Sequence, residues 1–255
     1  MSKIHLILPD PHAHYLHNND RALWAGKLIA DIKPDVVINM GDTFDMPSLS
    51  GFDKGKKQFQ GRTYAQDVKA GVDFNEKLWH EMRVRKRKMP RRVFLHGNHE
   101  QRIERAINTQ PELEGAIGYR DLQLERYYDE VVHYQGDTPG LITIDGIAYA
   151  HYFVSGIMGR AIGGEHPAHA LLQKKHISCT QGHTHVFEYC IDTRADGRKI
   201  SGLVAGVYQD YASDWAGVVN ALWDRGVIIK ENVEDGQYDI RWIGIQNLKK
   251  QYQNS

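Results

Sequence analysis

Three short apolar runs in the first hundred residues each end on a polar stop. KIHLIL (3–8) runs into PDPHAH, DVVINM (35–40) into GDTFD, and RRVFLH (91–96) into GNHE. Between the first two, RALWAGKLIADI (21–32) carries Leu23, Trp24, Leu28 and Ile32 at helical spacing and stops at Pro34. Between the second and third, residues 46–63 read as a loop, and residues 64–88 set Val68, Val72, Leu78 and Met82 on one helical face. Strand, helix, strand, helix, strand is the order that builds a parallel sheet with helices packed against it. The fold class is therefore α/β.

The pattern changes after residue 130. LITIDGIAYAHY (141–152) reads as a hairpin on Asp145-Gly146, and GVIIKENVEDGQYDIRWIGI (226–245) as another on Asp235-Gly236. ISCTQGHTHVFEYCID (177–192) and GRKISGLVAGVY (197–208) read as strands, and helices are expected over 101–130 and 166–175. The reading is a single domain over residues 1–245 followed by a loose tail, 246–255.

Composition excludes several classes. Lys plus Arg equals Asp plus Glu, 32 each, so global charge points to no polyanion partner. Two cysteines in 255 residues, Cys179 and Cys190, give neither a disulfide framework nor a thiolate metal motif. Nothing resembles a membrane span or an N-terminal apolar signal, so a cytoplasmic location is expected.

The polar residues that follow the strand runs share one chemistry. Asp10 and His12 follow the first run, Asp42 the second, Asn98 and His99 the third, His151 the run AYA, and His183 and His185 the run SCT. Carboxyl ends of strands in an open α/β sheet share a crevice where ligands bind. Carboxylate oxygen and neutral imidazole suit divalent transition metals, and this many donors exceeds one tetrahedral ion but fits two ions sharing a carboxylate. In D-x-H and H-x-H, residues two apart on an extended segment point to the same side. Each motif alone also fits an ordinary turn; the joint occurrence at strand exits carries the metal reading.

The series D-P-H (10–12), G-D-T-F-D (41–45), G-N-H-E (97–100), A-H-Y (150–152) and G-H-T-H (182–185) resembles the calcineurin-like metallophosphoesterase superfamily, in the style of its small prokaryotic and phage-borne members. The resemblance implies a sandwich of two mixed β-sheets flanked by helices, in four αββα layers, with a dinuclear metal site. It assigns Asp10, His12, Asp42 and His185 to one metal and Asp42, Asn98, His151 and His183 to the other, with Asp42 bridging. His99 is expected outside the metal shell, facing the phosphate as a proton or hydrogen-bond donor; Asp45 reads either as orienting a ligand imidazole or a backbone turn, or as a plain helix cap or turn residue. Met46 follows G-D-T-F-D where the superfamily's Ser/Thr protein phosphatases carry Arg, which argues against that branch.

The function this implies is hydrolysis of a phosphate ester by hydroxide shared between two divalent ions. Manganese is favored, with iron, zinc, nickel or cobalt as alternatives. A phosphodiesterase acting on DNA, RNA or a nucleotide leads, with a phosphomonoesterase and a noncatalytic metal-binding module as the other readings. His14 and Arg102 are candidate substrate contacts. Weaker candidates are the basic run RVRKRKMPRR (83–92), the aromatics Tyr208, Tyr211 and Trp215, and a Gly-rich loop over 154–169 with His166 and His169.

Overall fold

A computed structural model describes residues 2–254, with the backbone alone for residues 214 and 215. The strands are β1 (Lys3–Leu8), β2 (Val36–Asn39), β3 (Arg91–Leu95), β4 (Glu130–Val132), β5 (Leu141–Ile144), β6 (Ile147–Ala150), β7 (Val154–Ser155), β8 (Arg160–Ala161), β9 (Cys179–Gln181), β10 (Phe187–Thr193), β11 (Lys199–Ala205), β12 (Gly226–Glu234) and β13 (Gln237–Gly244). The helices are α1 (Asp20–Ile32), α2 (Tyr64–Leu78), α3 (His80–Val84), α4 (Arg102–Thr109), α5 (Pro167–Lys175) and α6 (Ile245–Tyr252).

Two large mixed sheets result. One has the order β13-β12-β1-β2-β3-β4 and the other β10-β11-β9-β6-β5. Within the first, β1, β2, β3 and β4 pair in parallel while β12 and β13 run antiparallel.

Side-chain alternation along the strands builds the layers. Leu6 and Leu8 of β1, Val37 of β2 and Phe94 of β3 pack toward α1, α2, α3 and α6. Ile7, Val36, Ile38, Val93 and Leu95 point the other way and meet Ile147, Tyr149, Leu203 and Ala205 of the second sheet. That sheet turns Ala148, Cys179 and Val204 toward Ala168 and Leu171 of α5. Helix, sheet, sheet, helix is the four-layer sandwich that the resemblance implies.

Both hairpins turn where expected. Asp145-Gly146 and Asp235-Gly236 all have positive φ, 50° and 81°, then 45° and 83°, as a two-residue primed turn requires.

Three readings of the sequence are corrected. The helix over 64–88 breaks at Trp79 (φ −94°, ψ 1°) into α2 and α3. Residues 101–130 are helical only through Thr109; Pro111, Gly115 and Gly118 then interrupt the chain, which proceeds in short 3-10 turns. The loose tail is largely a helix: α6 buries Ile245, Leu248 and Tyr252 against the cluster that α1 shares. No helix among the described residues is long and apolar enough to cross a membrane.

Candidate metal centre

The exits of β1, β2, β3, β6 and β9 converge, and with them all seven expected ligands and His99. Nε2 of His12 lies 3.1 Å from Nε2 of His185, which lies 3.3 Å from Oδ2 of Asp10. Nε2 of His151 is 3.0 Å from Oδ1 of Asn98 and 3.4 Å from Oδ2 of Asp42. His183 donates its backbone N–H to Asp10 at 2.6 Å, and Nε2 of His99 is 3.8 Å from Asp42. Three groupings bring one donor atom of each residue within 4.8 Å of the others: Asp10, His12 and His185; Asp42, His151 and His183; and His12, Asp42 and His99. The first two fall one within each expected ligand set, without Asp42 in the first. The third brings His99 closer to the cluster than the sequence reading put it.

The local backbone differs from the extended segments that the D-x-H and H-x-H spacing suggested. Asp10 (φ 37°), His12 (φ 44°), Asp42 (φ 49°), His183 (φ 68°) and His185 (φ 61°) are all left-handed. Such conformations cost roughly 1–3 kcal/mol each for residues with a Cβ and persist where the surroundings over-determine them. Two glycines permit the geometry by close approach. A Cβ on Gly97 would lie 2.1 Å from Oδ1 of Asp42, and one on Gly182 would lie 2.3 Å from Oδ1 of Asp10.

A surrounding layer fixes the orientation of these groups. Asp45 Oδ1 lies 3.0 Å from Nδ1 of His12, turning that ring's Nε2 inward as expected, and 3.0 Å from Nδ1 of His99. The Met40 carbonyl accepts Nδ1–H of His151 at 2.8 Å, with the same effect. Glu100, wholly buried, accepts backbone N–H groups of Asp42, Phe44 and Gly97, each at 2.9 Å, and so ties the GDTF and GNHE loops together. Arg21, also wholly buried, donates to the carbonyls of Pro11, His12 and Tyr208 and fixes the DPH loop.

Across the cluster, imidazoles and carboxylates compensate one another. Burial opposes the charge on Asp42, but His151 and His99 beside it hold its carboxyl well below the usual range. Burial likewise opposes charge on His151, yet Asp42 raises its pKa to about 10. His183 falls to about 4 through burial and the neighbouring His151. Burial and the charge of Asp42 push Glu100 up to about 7.

A metal cation fits this cluster. Oδ1 of Asp10 is buried without a hydrogen-bond partner, and two imidazole Nε2 atoms face each other beside it. A cation satisfies all of these at once, and the donor set is oxygen and nitrogen without thiolate.

The candidate substrate contacts fall in different places. Arg102 donates to the carbonyls of Asp45 (2.8 Å) and Met46 (3.1 Å) and to Nε2 of His99 (3.1 Å), at the edge of the cluster. His14 stacks on Tyr15 with its Nε2 3.9 Å from Asp45. The basic run enters the amino end of β3, the opposite end from the site, and Arg83, Arg85, Arg91 and Arg92 pair with Glu76, Asp31, Glu130 and Asp129. Tyr208 is core, and Tyr211 stacks on His17 while donating to the carbonyl of His12. The side chain of Trp215 lies outside the described residues. The 154–169 segment forms the β7–β8 ribbon; His166 faces Glu188 and His169 is exposed on α5, neither within the cluster.

Sequence reasoning passed over Glu100 and Arg21. Arg21 shares the buried face of α1 with Trp24, Ala25 and Leu28, and a lone cation on an apolar helix face is a readable signal. Glu100 gave only its place in GNHE.

No family model and no curated protein matches the sequence. Among solved structures, an archaeal phosphodiesterase is similar at 12% identity and a TM-score of 0.42, covering 94% of this chain and 99% of that one. A protein of Thermus thermophilus is similar at 11% identity and a TM-score of 0.39, covering 95% and 99%.

Proposed function

We propose that the chain is a metal-dependent phosphodiesterase acting on nucleic acid or nucleotides. Asp10, His12, Asp42 and His185 hold one divalent ion in this reading, and Asp42, Asn98, His151 and His183 hold a second. The observation that carries it is the convergence of five strand exits on a buried Asp/His cluster in which Asp10 Oδ1 has no hydrogen-bond partner. Bound there, two divalent cations supply the charge that clamps a phosphoryl group and lowers the pKa of a water.

The chain's own groups do the rest. Asp45 and the Met40 carbonyl hold His12 and His151 with Nε2 inward. Arg102 can only donate, so Nε2 of His99 accepts from it and Nδ1–H of His99 points to the Asp45 carbonyl at 2.7 Å. Burial, then the Arg102 charge, lowers the His99 pKa, in keeping with a ring that accepts from Arg102. A phosphoryl oxygen arriving at this edge meets the guanidinium first. His99 then positions Arg102, and becomes a general acid only once it has taken up a proton.

The test is a phosphate-ester panel with manganese, then iron, zinc, nickel and cobalt. Turnover of bis-p-nitrophenyl phosphate above p-nitrophenyl phosphate supports the diesterase, and the reverse order supports the phosphomonoesterase. Metal uptake with no ester hydrolysed leaves the noncatalytic metal-binding module.

A further inference from the structure

A cleft of about 400 Å³ lies outside the cluster, lined among others by Gln101, Glu104, Asn108, Tyr119, Tyr134 and Asp137. Its size falls in the range of small-molecule sites. Aromatic rings link it to the centre: Tyr152 meets the rings of His151 (centroids 5.7 Å) and His183 (4.7 Å), and Tyr134 meets Tyr152 at 6.4 Å, edge on. Gln101 joins it from the other side, two positions after His99 in the same loop.

The lining chemistry is selective. Glu104 and Asp137 offer carboxylate acceptors, and Asn108 offers an amide; none of the three makes a side-chain hydrogen bond or ion pair among the described residues. Gln101 is already engaged, accepting the Tyr119 hydroxyl hydrogen at 2.5 Å, which fixes that ring on the wall. Two carboxylates repel a second phosphate; Arg105, on the same helix as Glu104, offsets part of that charge but does not line the cleft. Aromatic faces, an amide and carboxylate acceptors are what proteins use to hold an unstacked base, with carboxylates accepting from an exocyclic amino group.

We propose that this cleft receives a nucleobase bearing an exocyclic amino group, next to the scissile phosphate. The inference rests on the phosphodiesterase reading for the position of that phosphate, and it narrows the substrate to nucleotides or single-stranded ends with a base free to leave the stack.

Metal-free protein titrated with cytidine and with uridine, followed by ligand-observed NMR, tests it apart from catalysis. Cytidine is expected to bind at least about fivefold more tightly than uridine. Asn108→Trp, which fills the cleft from an exposed helical position, is expected to abolish the difference, and Asp137→Asn to reduce it. With metal added, Asn108→Trp is expected to raise KM for the p-nitrophenyl ester of cytidine 5′-monophosphate about tenfold. Equal binding of the two nucleosides, or a difference that survives both substitutions, overturns the proposal. Failure to hydrolyse any ester overturns the phosphodiesterase reading and leaves the nucleoside result to stand by itself.

Discussion

Glu100 accepts the backbone N–H of Asp42 at 2.9 Å across 58 positions of sequence. The same carboxylate accepts from Phe44 and Gly97, so one buried side chain sets the distance between two loops that supply Asp42, Asn98 and His99. Glu100→Gln replaces one acceptor oxygen with a donor and leaves at least one of these N–H groups unpaired. A stability loss of about 1–3 kcal/mol is expected in urea denaturation, together with weaker metal uptake. Unchanged uptake at unchanged stability would show that the tie is dispensable.

Gly97 and Gly182 are the next test of that geometry. The Cβ of Gly97→Ala meets Asp42 Oδ1, and that of Gly182→Ala meets Asp10 Oδ1, in each case far inside contact distance. Each alanine is expected to displace its carboxylate and reduce the bound metal while far-ultraviolet circular dichroism stays the same. Full metal content in both variants would mean that the carboxylates relax freely.

The strand exits were legible because apolar runs of strand length end abruptly at Asp10, Asp42, Asn98, His151 and His183. The hairpins were legible because Asp-Gly tolerates two successive positive φ angles. How the ligands converge was not: D-x-H reads as an extended pair, but Asp10 and His12 are left-handed, held by partners such as Tyr208 and Arg21 that lie elsewhere in sequence. The helix end at Thr109 and the packing of α6 went unread for related reasons. Pro111 outweighs the charged helical composition that follows it, and Leu248 and Tyr252 find a buried place that a polar tail does not announce.

His99→Ala is expected to retain its metals and to lose about 10²–10⁴ in kcat, through loss of the acceptor that positions Arg102 and of the proton the ring can take up. Arg102→Lys is expected to lose nearly as much, because an ammonium cannot reach His99 Nε2 and the Asp45 and Met46 carbonyls together as the guanidinium does. Steady-state kinetics with metal analysis of each variant checks both, and wild-type turnover in either removes that residue from the mechanism.

His96, directly after β3, gives a pH signature set by burial. It is buried, neither ring nitrogen has a hydrogen-bond partner, and burial lowers its pKa from 6.5 to about 3; burial also lowers His5 to about 4. Above pH 6.5 both rings are neutral in either state, so they add no pH dependence. As pH falls below that value the unfolded chain takes up protons that the folded chain refuses, and stability drops by about 1.4 kcal/mol per pH unit for each ring. His96→Phe is expected to remove one such slope between pH 6 and 4, measured by denaturation across that range. An unchanged slope would mean that His96 takes up its proton while folded.

Equilibrium titration of the metal-free chain with manganese, read out by calorimetry and elemental analysis, tests whether two cations share Asp42. Two ions per chain are expected, with Asp42→Ala weakening both and His185→Ala weakening one. A single ion per chain, or two whose affinities ignore Asp42, would contradict it.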